Sequence, residues 1–428
     1  MVNTLTSTRK PIKHAAIRLA ILCVLFYSIS YLCRKSFDSN INEIMDFFGQ
    51  GKASVGLIGT YFFVAYAVGQ VFHGIMCKFY RPRPVLLTVG LMVSALSLLP
   101  GIIPVGAFDY IKYIWMLNGF ACASFWSVII LTLNQCVAEE HKAKVMFVTC
   151  FPVSLGTFFS YASSSLFSFL RQFRFSFVLA AIAMALISIY WFVRSRPLMD
   201  ACLAEKEEKD GAIATEITAG VEGKKYGGWP RSLIYLFICC AILAVVNNLV
   251  KDALNTWTPT ILKDLYGMEN WLSVLLSVAV PLMSVFGGVL SLALYRKCKD
   301  YLILSGGLYL IAGIILTVMV SLLGSGAWVV TLLCLMIASL SMTAINNLLT
   351  NVFPLNIDKG VNAGTVAGLM DGFCYIGSAI SAYGIGVFAE QDSGWNGVCV
   401  LLIALSIGSA VASAIVIFLK NRKSKTVA

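Results

Sequence analysis

Apolar runs of about 20 residues recur along the chain, and each predicts a membrane-spanning helix, because about 20 helical residues cross the roughly 30 Å of bilayer hydrocarbon. The runs lie near 15–36, 54–79, 84–105, 110–136, 143–170 and 175–194, and again near 232–256, 272–295, 301–323, 328–352, 361–389 and 395–420. The expected fold is therefore an all-α membrane protein of twelve transmembrane helices in two six-helix, pseudo-symmetric halves, residues 1–196 and 231–428. The polar stretch between them, 197–230, contains AEKEEKDGAIATEITAGVEGKKYGG. Its mixed charge, its glycines and its lack of an apolar face predict a flexible cytoplasmic linker.

Composition agrees. The chain is 59% hydrophobic and only 12% charged, whereas soluble domains are about 45–50% apolar and about 25% charged. A net charge of +11 raises the question of nucleic acid. The cations are dispersed among short loops, however, and loops basic on one side are the usual orientation signal of membrane proteins, so no nucleic-acid partner is expected. With both termini placed in the cytoplasm, the inward segments hold Arg9, Lys10, Lys13, Arg18, Lys78, Arg81, Arg83, Lys142, Lys144, seven cations in the central linker and its flanks, Arg296, Lys297, Lys299, Lys359, Lys420, Arg422, Lys423 and Lys425. The outward loops hold only Lys52, Lys112, Arg171, Arg174 and Lys263. The N-terminus lacks a small-residue cleavage site and reads as a retained first span. The thirteen cysteines are scattered through apolar runs as packing residues. The three histidines, His14, His73 and His141, lack ligand spacing, so no metal is expected. No nucleophile with a paired base and no phosphate-cradling glycine loop is present, so neither an enzyme nor a cofactor is expected.

The halves echo each other. FYRPRPVLLTVGL (79–91) follows the second run and LYRKCKDYLILSGGL (294–308) the eighth. Parallel six-helix halves characterise transporters whose substrate site lies between them.

Charges inside the apolar runs are the candidate chemistry, since an ion at mid-bilayer costs about 2.5–3.5 kcal/mol on insertion scales. The first run ends in SYLCRKSFDSN, with Arg34 and Lys35 adjacent. Tyr27, Tyr31 and Arg34 fall on one helical face. In the seventh run, NNLVKDALNTWTP, Lys251 lies at a similar depth, and Asn247, Lys251 and Asn255 share a face. Asp371 lies deepest, in the eleventh run, beside Gly360, Gly364, Gly368 and Gly372, a row spaced to let another helix approach. Simpler assignments compete: a snorkelling cap for Arg34 and Lys35, an Asp252 partner for Lys251, and a structural ion pair between Asp371 and Lys251. The alternative for Asp371 is a proton-carrying group, with Lys35 balancing charge. Ser124, Trp126, Asn134, Gln135, Asn346 and Asn347 are further residues able to line a cavity.

YSISYLCRKSF (27–37), VAYAVGQVFHG (64–74), NLVKDALNTWTPTILKD (248–264) and NAGTVAGLMDGFCYIGS (362–378) resemble the organophosphate:phosphate antiporters of the major facilitator superfamily. The likeness to bacterial glycerol-3-phosphate and hexose-phosphate transporters extends weakly along the whole chain. By this resemblance Arg34, preceded by Tyr27 and Tyr31, and Lys251 bind the substrate's phosphate, and Tyr375 lines the cavity. Departures occur where the glycerol-phosphate carrier has a span-two Lys, here Gln70, and a span-five His, here Pro152. Asp371 adds an acid, and Lys78 replaces the usual inner-loop Asp. The resemblance implies a monomer in the plasma membrane, of bacterial inner-membrane type, with a small anion and inorganic phosphate or protons as its partners.

The expected function is secondary active transport of a small organic anion, an organophosphate ester exchanged for inorganic phosphate. The alternatives are a proton-coupled symporter of a carboxylate or sugar acid, and a non-transporting receptor for a phosphorylated ligand. Expected substrate-binding residues are Arg34, Lys251, Tyr27, Tyr31, Tyr375, Gln70 and Asn247.

Overall fold

The computed structural model describes residues 14–137, 151–213, 231–323, 325–357 and 363–427. These residues form helices and connecting turns, with no strand among them. The first half comprises α1 (Ala15–Ser39), α2 (Lys52–Met76), α3 (Pro82–Ile102), α4 (Ile111–Cys136), α5 (Pro152–Phe169) and α6 (Arg174–Ile213). The second half comprises α7 (Arg231–Tyr266), α8 (Asn270–Lys297, interrupted at Val278), α9 (Tyr301–Ser321), α10 (Trp328–Asn347), α11 (Ala363–Ala389) and α12 (Gly394–Val427). A short helix, Ile41–Phe48, follows α1, and α10 continues through a π-helical turn, Leu348–Val352, into Phe353–Leu355. Among the described residues eleven helices are long and apolar enough to cross a membrane. The described part of the twelfth, α5, is rich in serines that turn inward: Ser39 Oγ on α1 lies 2.7 Å from Ser164 Oγ, and Asn40 donates to Ser164 Oγ at 2.9 Å.

The pairings repeat from half to half. Helix α2 packs on α4, α3 on α6, and α1 on α5; correspondingly α8 packs on α10, α9 on α12, and α7 on α11. The two echoing segments occupy equivalent turns, α2 to α3 and α8 to α9. In the second of these, Asp300 caps α9 by accepting hydrogen bonds from the Leu302 and Ile303 amides at 2.9 and 3.2 Å.

Two departures from the expected spans have physical causes. Helix α6 continues to Ile213, into the segment read as linker, because Ala204, Glu205, Lys206, Glu207 and Glu208 are strong helix formers that need no lipid. The rest of the linker, 214–230, lies outside the described residues, as do 143–150, Gly360 and the expected inner cations Arg9, Lys10, Lys13, Lys142, Lys144 and Lys359. The glycine row of α11 is not a packing face here: a Cβ added at Gly368 or Gly372 would meet nothing within 4 Å. The tight approach on α11 is at Gly377, where a Cβ would lie 2.1 Å from the Val245 carbonyl oxygen of α7.

The halves are stitched together at the end remote from the chain termini. Lys263 pairs with Asp46 at 2.7 Å and Lys52 with Asp264 at 3.0 Å. Thr260 donates to Asn42 at 2.8 Å, the Ala53 amide to Glu390 at 3.0 Å, and Ser165 to the Trp271 carbonyl at 2.8 Å. Beneath this layer α2 and α11 touch backbone to backbone: a Cβ at Gly56 would lie 2.2 Å from the Ala382 carbonyl oxygen. Four of the five cations expected in outward loops thus have partners, since Lys112 pairs with Asp109 at 2.9 Å and Arg174 donates to the Ile103 carbonyl at 2.6 Å.

A Gly56→Val variant is expected to weaken this closed end by about 1–3 kcal/mol, the usual cost of overpacking. Labelling of a Ser273→Cys probe by a hydrophilic maleimide, read by peptide mass spectrometry, should then accelerate. Unchanged labelling would mean that the contact does not hold the end shut.

Candidate functional site

Arg34 sits on the face of α1 that turns toward α2 and α11. Its guanidinium carbon lies 4.3 Å from the ring centre of Tyr66, 5.2 Å from Tyr31, 5.4 Å from Phe62, 5.7 Å from Tyr375 and 5.9 Å from Phe63. Nη1 donates to the Tyr31 hydroxyl at 3.3 Å, and the buried Nε has no hydrogen-bond partner. Among the described residues Arg34 makes no ion pair. Each ring contributes about 0.5–2 kcal/mol of cation–π attraction, depending on desolvation, which offsets the cost of a charge at this depth. It leaves the charge un-neutralised, with planar donors free for an oxyanion. Tyr375 belongs to the opposite half, and its ring centre is 4.5 Å from that of Tyr66, so both halves meet on this one cation.

Lys35 behaves differently. One residue along a helix is a rotation of about 100°, and its ammonium pairs with Asp38 on the same helix at 2.6 Å. Lys35 is thus neutralised on its own helix, whereas Arg34 has no carboxylate paired with it among the described residues.

In the second half, Lys251 Nζ donates to Asn248 Oδ1 at 2.5 Å, and Asn248 Nδ2 donates to Asn346 Oδ1 at 2.9 Å. The ammonium is therefore held by a chain of amides from α7 to α10. Asn255 Nδ2 donates to the Lys251 carbonyl at 2.8 Å. Neither Asp252 nor Asp371 forms a direct ion pair with Lys251, although Asp371 is within electrostatic range of it. Asp371 is exposed, one turn before Tyr375 on the same face of α11. The exposed apolar stripe of that helix, Leu369, Ile376 and Ile380, lies around the other side. With Gly368 and Gly372 opening onto empty space beside it, Asp371 lines an open cleft between the halves.

The remaining expected residues divide. Tyr27 is buried, stacked on Trp126 at 5.3 Å and edge-on to Tyr31 at 5.2 Å, as a wall behind the cation. Gln70 Nε2 donates to the Tyr66 hydroxyl at 3.1 Å and so orients a ring of the cage. Asn247 is fully buried, with both amide atoms unpartnered, on the face of α7 one turn beyond Leu243, whose carbonyl accepts from Tyr309 of α9 at 2.7 Å; it does not join the others. Ser124 is likewise buried, donating to the Ala121 carbonyl at 2.9 Å, and Asn347 donates to Ser291 at 2.6 Å. Asn134 and Gln135 are exposed near the end of α4. Pro152 opens α5 and is buried.

Sequence reading missed Phe62, Phe63 and Tyr66, which form three of the five rings of the cage, and Asn248, which holds Lys251. The available signal was the stripe Phe62, Tyr66, Gln70 at four-residue spacing, an aromatic face ending in an amide.

A family model described as Major Facilitator Superfamily matches residues 23–382. No curated protein sequence matches the chain. Solved structures are similar in fold across nearly its whole length. A bacterial homologue of the human lysosomal transporter Spinster, inward-facing and occupied, aligns with TM-score 0.73 at 13% identity, covering 97% of this chain and 98% of that one. A POT family transporter in complex with 5-aminolevulinic acid gives 0.73 at 14% identity, covering 95% and 96%. The xylose transporter XylE from E. coli, in an inward-open conformation, gives 0.71 at 11% identity, covering 92% and 95%.

Because Arg34 has no counter-ion, Arg34→Met should raise the melting temperature of the purified protein, as an apolar replacement for an unpaired charge. Lys35→Met should lower it, because the carboxylate of Asp38 left unpaired costs on the order of 1–3 kcal/mol of stability. Equal shifts of one sign would contradict the different roles assigned to the two cations.

Proposed function

This chain belongs to the Major Facilitator Superfamily, and we propose that it is a secondary active transporter of a small organic anion, an organophosphate ester exchanged for inorganic phosphate. The observation that carries this reading is the Arg34 guanidinium, caged by rings from both halves and lacking a carboxylate partner. A planar fork of this kind suits phosphate, whose oxygens it can take two at a time. Lys251, steadied by Asn248, supplies a point charge from the other half.

By the distribution of cations, the termini lie in the cytoplasm of a plasma-membrane protein. The stitched end then faces outward and the cleft opens inward. An anion bridging Arg34 and Lys251 screens the repulsion between the halves and favours closing the inner end over it. The outer seal then has to part. Its ion pairs are partly exposed, and pairs of that kind contribute about 0–1 kcal/mol each, so a modest difference in ligand affinity between the two states suffices to exchange them.

The test is exchange of labelled phosphate into phosphate-loaded liposomes. Saturable exchange is expected, competed by a sugar phosphate or glycerol phosphate and reduced at least about tenfold in Arg34→Ala, since hydrogen bonds to charged groups contribute about 1.5–3 kcal/mol. Full exchange in Arg34→Ala would refute the site.

A second reading has one observation in its favour. Asp371 is exposed in the cleft without a direct partner, as a proton carrier would be. The protein would then be a proton symporter of a carboxylate or sugar acid. Uptake driven by an inward proton gradient and lost in Asp371→Asn is its signature; exchange indifferent to the gradient rules it out.

A further inference from the structure

The cleft carries both signs of charge. Arg34 stands on one side, ringed by Tyr31, Phe62, Phe63, Tyr66 and Tyr375. Asp371 stands one turn along α11 from Tyr375, exposed and making no hydrogen bond or ion pair with a described residue. Lys251 donates one of its three hydrogen bonds to Asn248 at 2.5 Å and acts on Asp371 only at longer range. Asp252, beside Lys251 on α7, is a second carboxylate in the same region, whereas Lys35 and Asp38 pair with each other at 2.6 Å and Lys52 and Asp264 do so at the stitched end at 3.0 Å.

A purely anionic substrate would set its charge against a carboxylate that Lys251 answers only at a distance, without a direct ion pair. Repulsion of that kind is removed if the ligand brings its own cation. Resting on the proposed phosphate reading, we infer that the substrate is zwitterionic, an organic phosphate that also carries an ammonium group. Arg34 takes the phosphate and Asp371 the ammonium, with the touching rings of Tyr66 and Tyr375 flanking the body of the molecule. An aminohexose phosphate has this form.

The experiment is calorimetric titration of the full-length purified protein with glucosamine 6-phosphate, glucose 6-phosphate and inorganic phosphate. It compares the unaltered chain with Asp371→Asn and Asp371→Glu, each checked for its melting temperature. The unaltered protein should bind the amino ester at least about tenfold more tightly than the neutral sugar ester, as expected for one charge-assisted hydrogen bond. The ratio should fall to near unity in Asp371→Asn and recover in part in Asp371→Glu, while inorganic phosphate binds the Asn variant at least as tightly as before. Equal affinity for the two esters in the unaltered protein overturns the inference, with or without a folded variant. So does a preference that persists in Asp371→Asn, or a role of Asp371 confined to proton coupling. Binding of glucose 6-phosphate and inorganic phosphate without amino preference overturns this inference alone; binding of none of the three overturns the phosphate reading with it.

Discussion

A guanidinium with no carboxylate, held deep in an apolar bundle, is the constraint from which the rest of the structure follows. Arg34 is costly where it stands, and the fold surrounds it with ring faces rather than a counter-ion. Ring quadrupoles lower the cost without consuming the charge. An ion pair would have consumed it, as happens one residue later at Lys35. The aromatic solution requires rings from three helices, α1, α2 and α11, and the last belongs to the other half. The cage can be complete only when the halves meet, so the state of the charge and the arrangement of the halves are coupled through the same side chains.

The stitched end follows a different design. It is polar, partly exposed and made of short-range contacts, so that no single one is expensive to break. Beneath it lies a contact of another kind, Gly56 against the Ala382 carbonyl, which depends on shape and not on charge. The polar contacts answer to salt and the backbone contact does not. Closure therefore has one adjustable component and one fixed component.

Most of the fold was legible because lipid imposes a simple rule on length and polarity. The spans of α1 to α4 and of α7 to α10 followed from it. The rule fails where lipid is not the solvent: the charged continuation of α6 looks like a linker because a helix in water needs no apolar run. Half of the site was legible for a related reason. Charges in apolar runs stand out, so Arg34, Lys251 and Asp371 were visible. Aromatic residues in α2 did not, since Phe62, Phe63 and Tyr66 read as ordinary packing until a charge is found against them. Asn247 was chosen over Asn248 on i, i+4 spacing, yet the bond to Lys251 runs i, i+3, and a rotation of about 100° buries the other amide. The glycine row of α11 was spaced for packing, and in this arrangement it borders open space. Spacing defines a face and does not say what occupies it.

The serine-lined α5 bears on how the chain enters the membrane. Its hydroxyls point at Ser39 and Asn40. Alone in lipid those hydroxyls would have only their own backbone to bond. Helix α1, made earlier, presents the acceptors and donors they need. Pairing of that hydroxyl face then waits on a neighbour already in place, and the order of synthesis, from α1 onward, supplies that neighbour first.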